Sequence, residues 1–410
     1  MHFKKITGLV MAALASTMVL AACGSKSSDS SSNKTLTFWY GGDKASDVTP
    51  LTKAFTKKTG IKVKVQAIPW ANYNDKLLTA AASKNGPDIL LAGTTAVSNY
   101  AQSKTLMDIS KEVKSDSALS PSKYFDGSVA TTKVKGKYYA VPWYVETRVL
   151  FYRKDLLKKV GYNEAPKNWD ELYDASQKLA KIGKYGLYVD PDDNSFGYMF
   201  ARQNGAQLMK GNQPNLNSKK VVESIEYLAK YTKNKITPKQ NTQLSIGQTF
   251  GGDGKIEPMF ISGPWMVKSI KDEAGLKDDQ WDVTVLPTGS KNNMSLTGGG
   301  DLAVFNYSKN KKNAIKLLKF MSSRSSQLQY YKTSTSLPTL KSAWTDKSLS
   351  DRRIQVFRKQ LNNAQPMPLI KQWDQIGVNY HNAWQEIGNG ANVKKVMDEQ
   401  QAKAKALINK

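Results

Sequence analysis

From Thr35 to Ala92 the apolar positions switch repeatedly between a period of two and a period near 3.6. Residues 35–40 (TLTFWY) read as a short strand rich in threonine and aromatics, closed by Gly41-Gly42. Val48, Leu51 and Phe55 recur at helical spacing, and Gly60 falls where a helix C-terminus favours a glycine. Ile61, Val63 and Val65 alternate with Lys62 and Lys64, a strand with one wet face. A second helix is predicted over Ala71–Lys84, stopped by Asn85-Gly86. Asp88–Ala92 is then a continuous apolar strand of the type buried on both faces. Strand, helix, strand, helix, strand in that order implies a parallel sheet with helices on its faces, an α/β architecture. Ligands of such sheets bind beyond the carboxyl ends of the strands, so the loops at 41–44, 69–70 and 92–95 are expected on one rim.

A second unit follows the long β-rich passage 136–157. Asn168 and Glu171 are spaced as a capping box, and the helix they open carries Leu172, Ala175 and Leu179 on one face. A strand predicted over Gly186–Val189 leads into the acidic loop DPDDNSFG. That loop partly matches a calcium-binding pattern at Asp190, Asp192 and Asn194, but its twelfth position is Ala201 instead of glutamate, so no calcium is expected. Further β-type runs at 258–267 and 297–305 precede three helical stretches that end in an amphipathic tail. There is no internal repeat.

The first 33 residues change the picture. Lys4 and Lys5 form a basic head, Ile6–Ala22 is uncharged and ends in small residues, and the pattern is that of a secretory signal over 1–22. The single cysteine of the 410 residues, Cys23, follows directly. Leu20-Ala21-Ala22-Cys23 resembles the lipobox of bacterial lipoproteins, which implies that Cys23 is acylated and becomes the first mature residue. Residues 23–33, serine-rich, read as a tether too polar to pack. Removing 22 residues from 410 leaves 388, enough for two domains with no possible internal disulfide. His2 departs with the signal, leaving His381 as the one histidine, so neither a zinc site of His and Cys nor any other metal site or cofactor is expected. Phosphate-binding GxxxxGK[ST] and dinucleotide-binding GxGxxG patterns are absent.

The formal net charge of +26 raises nucleic acid as a partner. The lysines are scattered in ones and twos among polar residues, with no arginine-rich arm. No nucleic-acid partner is expected, and a dispersed positive surface suits a protein facing an anionic wall and membrane.

Six segments in order, FWYGGDK, FTKKTGIKVKV, GPDILLAGTTAVSNYAQSKTL, AVPWYVETRVLFYRKDLL, NWDEL and FISGPWMV, resemble the extracellular solute-binding proteins of sugar-binding family 1. These are receptor subunits of ABC importers, and the similarity is to the maltose/maltodextrin-binding type over nearly the whole chain. The resemblance implies a two-lobed periplasmic-binding-protein-like (type II) fold with a ligand cleft between lobes. The expected division is 34–145 plus 300–348 for the N-terminal lobe and 146–299 plus 349–410 for the C-terminal lobe. It further implies an oligosaccharide ligand, permease subunits with an ATPase on the far side, a lipid anchor on the outer face of a bacterial cell membrane, and a monomer without enzymatic activity. Asp43 and Lys44 match polar sugar ligands of the first lobe, Glu146 a hinge carboxylate, and Trp265 an aromatic platform of the second lobe. Departures fall in the same shell. Ala92, Thr95 and Ala96 replace a tryptophan and an aspartate–arginine pair, while Asp192 and Asn194 align with an acidic residue and a tyrosine, the aromatic being lost or moved to Phe196. Trp373 lies about one helical turn from the family's C-terminal tryptophan.

The chemistry supports this independently. A sugar ring presents apolar C–H faces that aromatic planes cover, and hydroxyls that carboxylates and lysine bind. Trp70, Trp143 and Tyr144 join the candidate platforms, each with core packing as its alternative; Trp39, Trp169, Trp281, Trp344 and Trp384 read as structural. Glu146 either contacts sugar or pairs with Arg148 or a lysine. Maltodextrin is the first expectation, with raffinose-like and isomalto-type oligosaccharides beside it. A glycosidase, with paired carboxylates such as Glu146 and Asp192, and a wall-polymer-binding envelope protein are the competing classes.

Overall fold

The computed structural model describes residues 35–42, 44–252 and 256–409. Cys23, the leader before it, the tether and Asp43 lie outside the described residues. Nine strands build two larger sheets: β1 (Thr35–Gly41), β2 (Lys62–Ile68), β3 (Ile89–Gly93), β4 (Val141–Glu146), β5 (Val149–Arg153), β6 (Met259–Ser262), β7 (Trp281–Thr284), β8 (Gly298–Val304) and β9 (Leu337–Pro338).

The first sheet has the order β9-β4-β8-β3-β1-β2. β1 pairs in parallel with β2 and β3, as the early rhythm implies. β8 runs antiparallel between β3 and β4, so the complete sheet is mixed. Alternation along its strands feeds two cores. Leu36, Phe38, Ile89, Leu91 and Leu302 face one, where α1 (Thr49–Thr59) packs through Leu51 and Phe55. Leu90, Ala92 and Ala303 face the other, under Tyr73 and Leu77 of α2 (Trp70–Ser83). Gly60 ends α1 at φ 73°, the left-handed conformation its position called for.

β5 is the centre of the second sheet, with β6 and β7 antiparallel on either side. Around it lie α3 (Trp169–Ile182), α4 (Phe196–Gln203), α5 (Lys219–Lys233), α6 (Trp265–Glu273), α7 (Trp373–Gly388) and α8 (Val393–Ile408). Leu150, Met259 and Ile261 turn toward α3, α4, α5, α7 and α8, whereas Phe151, Phe260 and Val283 turn toward α6 through Val267 and Ile270. Asn168 caps α3 by accepting from Glu171 N at 2.9 Å. Glu171 reaches back to Lys167 N (2.8 Å) and to the Asn168 amide (2.9 Å), one residue beyond the usual box partner. The strand predicted over 186–189 contracts to a single bridge between Tyr188 and Phe260, because Val189 N bonds the Thr237 hydroxyl at 3.0 Å and leaves the ladder.

Thr147 and Arg148 carry the chain from the first sheet to the second. Ser295 on the returning segment accepts from Arg148 N (3.0 Å) and donates to Arg148 O (2.9 Å). Thr147 Oγ1 donates to Leu296 O at 2.8 Å. Thr147 and Ser295 are both fully buried, so the crossing is a dry, hydrogen-bonded pair of segments.

Candidate functional site

The carboxyl ends of β1 and β3 and the N-terminus of α2 meet at one rim. Pro69 turns the chain there, and Trp70, 43 % exposed, lays its ring over the strand ends. A Cβ on Gly41 would stand 2.6 Å from that ring and one on Gly93 3.9 Å away, so the indole occupies the room these glycines leave; Tyr73 supports it at 5.1 Å. Lys44 is exposed on the loop after β1.

Next along the rim comes β8. Its Gly300 stands opposite Gly93 on one side and Tyr144 on the other, and Gly298 stands opposite Glu146. Gly299 has φ 117°, and a Cβ there would meet Tyr144 O at 2.3 Å, so this close approach of β8 to β4 needs glycine. Gly298, where a Cβ would stand 3.9 Å from Glu146 Oε2, lies beside that carboxylate at the end of β4. Burial pushes the Glu146 carboxyl upward in pKa, and the nearby Arg148 charge opposes it.

Arg148 joins this rim to the second sheet. Its Nη1 is 4.0 Å from Glu146 Oε2, its Nε is 3.8 Å from Asp193 Oδ2, and its guanidinium carbon is 5.0 Å from the centre of the Trp265 ring. Trp265 opens α6 after Gly263-Pro264 and is 37 % exposed, its ring lying where a Gly263 side chain would be. Beside Asp193, Asp192 is exposed and accepts from Asn241 at 3.3 Å, while Asn194 rests against Gly377 of α7. Asp190 is held above the ordinary carboxylate range by burial and by the charges of Asp193 and Asp192.

Trp70, Tyr144, Glu146 and Trp265 are therefore linked by a line of near neighbours running through β8 and Arg148. Three other candidates are core residues. Trp143 is fully buried, stacked on Tyr330 at 4.0 Å with its edges toward Phe38 and Tyr40. Phe196 is buried and stacks on Phe200 at 5.3 Å. Trp373 is buried against Tyr198 at 5.5 Å. Each ring spends its area on protein neighbours, so a ligand gains no platform from it. Tyr144 is 9 % exposed and lines the rim by its edge.

Two participants are new. The sequence marks Arg148 only as a partner for Glu146, and Asp193 not at all. Residues i and i+2 of an extended segment project to the same side, so the pair Glu146/Arg148 carried a signal for Arg148. Asp193 had none beyond lying in an acidic loop.

The arrangement offers two flat apolar surfaces with carboxylates and a guanidinium between them. Among the described residues no group of three His, Cys, Asp or Glu side chains is placed to hold a metal ion, and no helix is long and apolar enough to cross a membrane. A separate cavity of about 350 Å³, bordered by Arg202, Leu208, Met294 and Pro368, shares no residue with this rim.

Known proteins point the same way. The chain is 27 % identical to the galactooligosaccharide-binding protein of Bacillus subtilis, an alignment covering 100 % of this chain and 98 % of that one. It is 27 % identical to a maltooligosaccharide ABC transporter solute-binding lipoprotein of Streptococcus pneumoniae, over 91 % of this chain and 90 % of the relative. The solved structure of the sugar-binding protein MalE from Xanthomonas citri superposes with a TM-score of 0.85 at 27 % identity, covering 92 % of this chain and 97 % of that one. It shares the two-lobed architecture. Residues 51–353 match the family described as bacterial extracellular solute-binding protein, and the chain belongs to that family.

Proposed function

We propose that this protein captures a neutral oligosaccharide between its two lobes and delivers it to the permease of an ABC importer. The observation that carries the reading is the exposure of Trp70 and Trp265, the first on a helix of one sheet and the second on a helix of the other, while Trp143, Trp281, Trp344, Trp373 and Trp384 are buried. A large ring left in water costs hydrophobic free energy unless something covers it in use, and a pyranose face fits. Glu146, Asp192, Asn194, Lys44 and Asp43 then bind hydroxyls around the rings. Relatives named for maltooligosaccharide and galactooligosaccharide support the class. Maltodextrin is the first candidate, followed by galacto-, raffinose-like and isomalto-oligosaccharides.

The same proposal includes the two-lobe division expected at 145/146, 299/300 and 348/349, with the first two crossings moved to 146/147 and 297/298 so that β4 and β8 stay whole in the first lobe. It also includes a monomer held on the outer face of the membrane by lipid on Cys23, with binding and no catalysis as its activity. A thermal-shift screen over these sugars tests it. A ligand at a hundredfold excess over its Kd stabilises by about 2.7 kcal/mol. Absence of any shift across the panel, with binding only to wall polymer, would refute the reading.

A further inference from the structure

Arg148 is held apart from the carboxylates that surround it. Arg153 and Asp155 meet at 2.8 Å and Arg324 and Asp346 at 3.1 Å, ordinary charge-assisted contacts. Arg148, by contrast, stands 4.0 Å from Glu146 Oε2 and 3.8 Å from Asp193 Oδ2, beyond hydrogen-bond reach of both. Its Nη1 is buried without any hydrogen-bond partner. An N–H donor of a charged group is costly to leave unmade.

Nor is the side chain free to drift. Its backbone is clamped on both sides by Ser295, with Arg148 N donating to the serine oxygen and Arg148 O accepting from it. The guanidinium is seated over Trp265 at 5.0 Å, an attractive placement for a cation above an indole. The anchoring fixes the gap, and the gap has a size. An oxygen lying about 2.8 Å from two atoms that are 4.0 Å apart subtends an angle of about 90° between them, an acceptable geometry for an oxygen that accepts from one and donates to the other.

We infer that Arg148 is a ligand-binding residue: one hydroxyl of the bound sugar sits between Arg148 Nη1 and Glu146 Oε2, accepting from the guanidinium and donating to the carboxylate. This rests on the oligosaccharide reading and adds a rule of selection to it. Only a group that both accepts and donates satisfies both sides. A deoxy position satisfies neither, and an O-methyl group cannot donate to Glu146. Arg148 also takes one side of Trp265, which directs the sugar ring to the indole surface still open.

Calorimetry with maltotriose, a galactotriose and diacetylchitobiose identifies the tightest of the three for the wild type, and monodeoxy derivatives of that sugar are then compared. Arg148→Lys and Arg148→Met should both weaken the parent sugar by roughly ten- to a hundredfold, the range of one charge-assisted hydrogen bond. One monodeoxy derivative should bind the wild type weakly by at least a similar factor yet cost Arg148→Met clearly less, because only the donation to Glu146 is then left to lose. If both variants bind within twofold of wild type while Trp70→Ala loses affinity, the sugar cleft stands and the bridging hydroxyl is overturned. The bridge is equally overturned if every monodeoxy derivative penalises Arg148→Met as it does the wild type, because Arg148 would then act on structure alone. Failure of the wild type to bind any of the three, or raffinose or isomaltotriose added to the panel, overturns the sugar reading together with the bridge.

Discussion

Replacing Trp265 by alanine tests the platform directly. At 37 % exposure, an indole side chain of about 250 Å² offers roughly 90 Å² to a ligand. At about 25 cal/mol per Å², covering all of that area contributes about 2.3 kcal/mol, and covering half contributes about 1.2 kcal/mol. Trp265→Ala should therefore weaken sugar binding by roughly 7- to 45-fold. The fold should tolerate the change, since the ring is seated over Gly263 and under Arg148 at the surface end of α6. Calorimetry on the variant, with a circular-dichroism melt to establish that it is folded, gives the number. Trp265→Phe should recover most of the loss, because a phenyl plane still stacks. An alanine variant that is folded and binds as the wild type does would remove Trp265 from the site and leave its exposure unexplained.

Trp143→Ala should behave in the opposite way, lowering stability by about 3–5 kcal/mol in a urea titration as a buried ring becomes a cavity, while the folded fraction keeps its sugar affinity. Glu257 sets a pH dependence. Burial and the neighbouring Asp190 raise its carboxyl to about 7 against the opposing hydroxyls of Thr249 and Thr242 and the charge of Lys184. Between its unfolded value of 4.5 and about 7 the folded state holds the proton and the unfolded chain does not, so stability should fall as pH rises through this window, by up to roughly 3 kcal/mol. Glu257→Gln should melt with the wild type at pH 5 and above it at pH 8; equal melts at both values would refute the assignment. Cys23→Ser should move the protein from the membrane fraction to the medium, since serine has no thiol to acylate, and retention in the membrane would refute the anchor. Sugar affinity should change less than about threefold between 50 and 200 mM salt, because a neutral ligand releases no counterions.

The sequence reads well where a local period carries the information. β1, α1, β2, α2 and β3 follow from spacing alone, and Gly60 marks the end of α1 because left-handed backbone is a local demand. The aromatics do not separate in this way. Five of the six residues of β4 are buried, so the inside–outside alternation that would have placed Trp143 is missing, and its partners Phe38, Tyr40 and Tyr330 come from distant parts of the chain. All three tryptophans stand directly after a proline, but Pro142 lies inside β4. Pro69 and Pro264 each begin a helix at a sheet rim, and the first helical side chain folds back over glycine. That relation pairs Trp70 with Gly41, 29 residues earlier in the chain, and no local window contains both. Arg148 is legible as a cation near Glu146, but the 4.0 Å that separates the two groups is a property of three dimensions and leaves no mark on the sequence.

If capture proceeds as proposed, by the lobes turning toward each other, the buried crossing at Thr147, Arg148 and Ser295 also sets its timing. When two bodies turn about a common axis, atoms close to the axis travel little and atoms at the far edge travel most. Glu146 and Arg148 stand immediately at the crossing, so their spacing is nearly the same however far the lobes are spread, and their grip on a ligand is available at first encounter. Trp70 and Lys44 ride on the first lobe with Glu146 but farther from the axis, so they meet a ligand resting on the second lobe only as the angle narrows. Capture then has an early step at the fulcrum and a late one at the jaws. The on-rate follows the first, and residence time follows the second. Substitutions near Arg148 should thus register in association, and those at Trp70 in release.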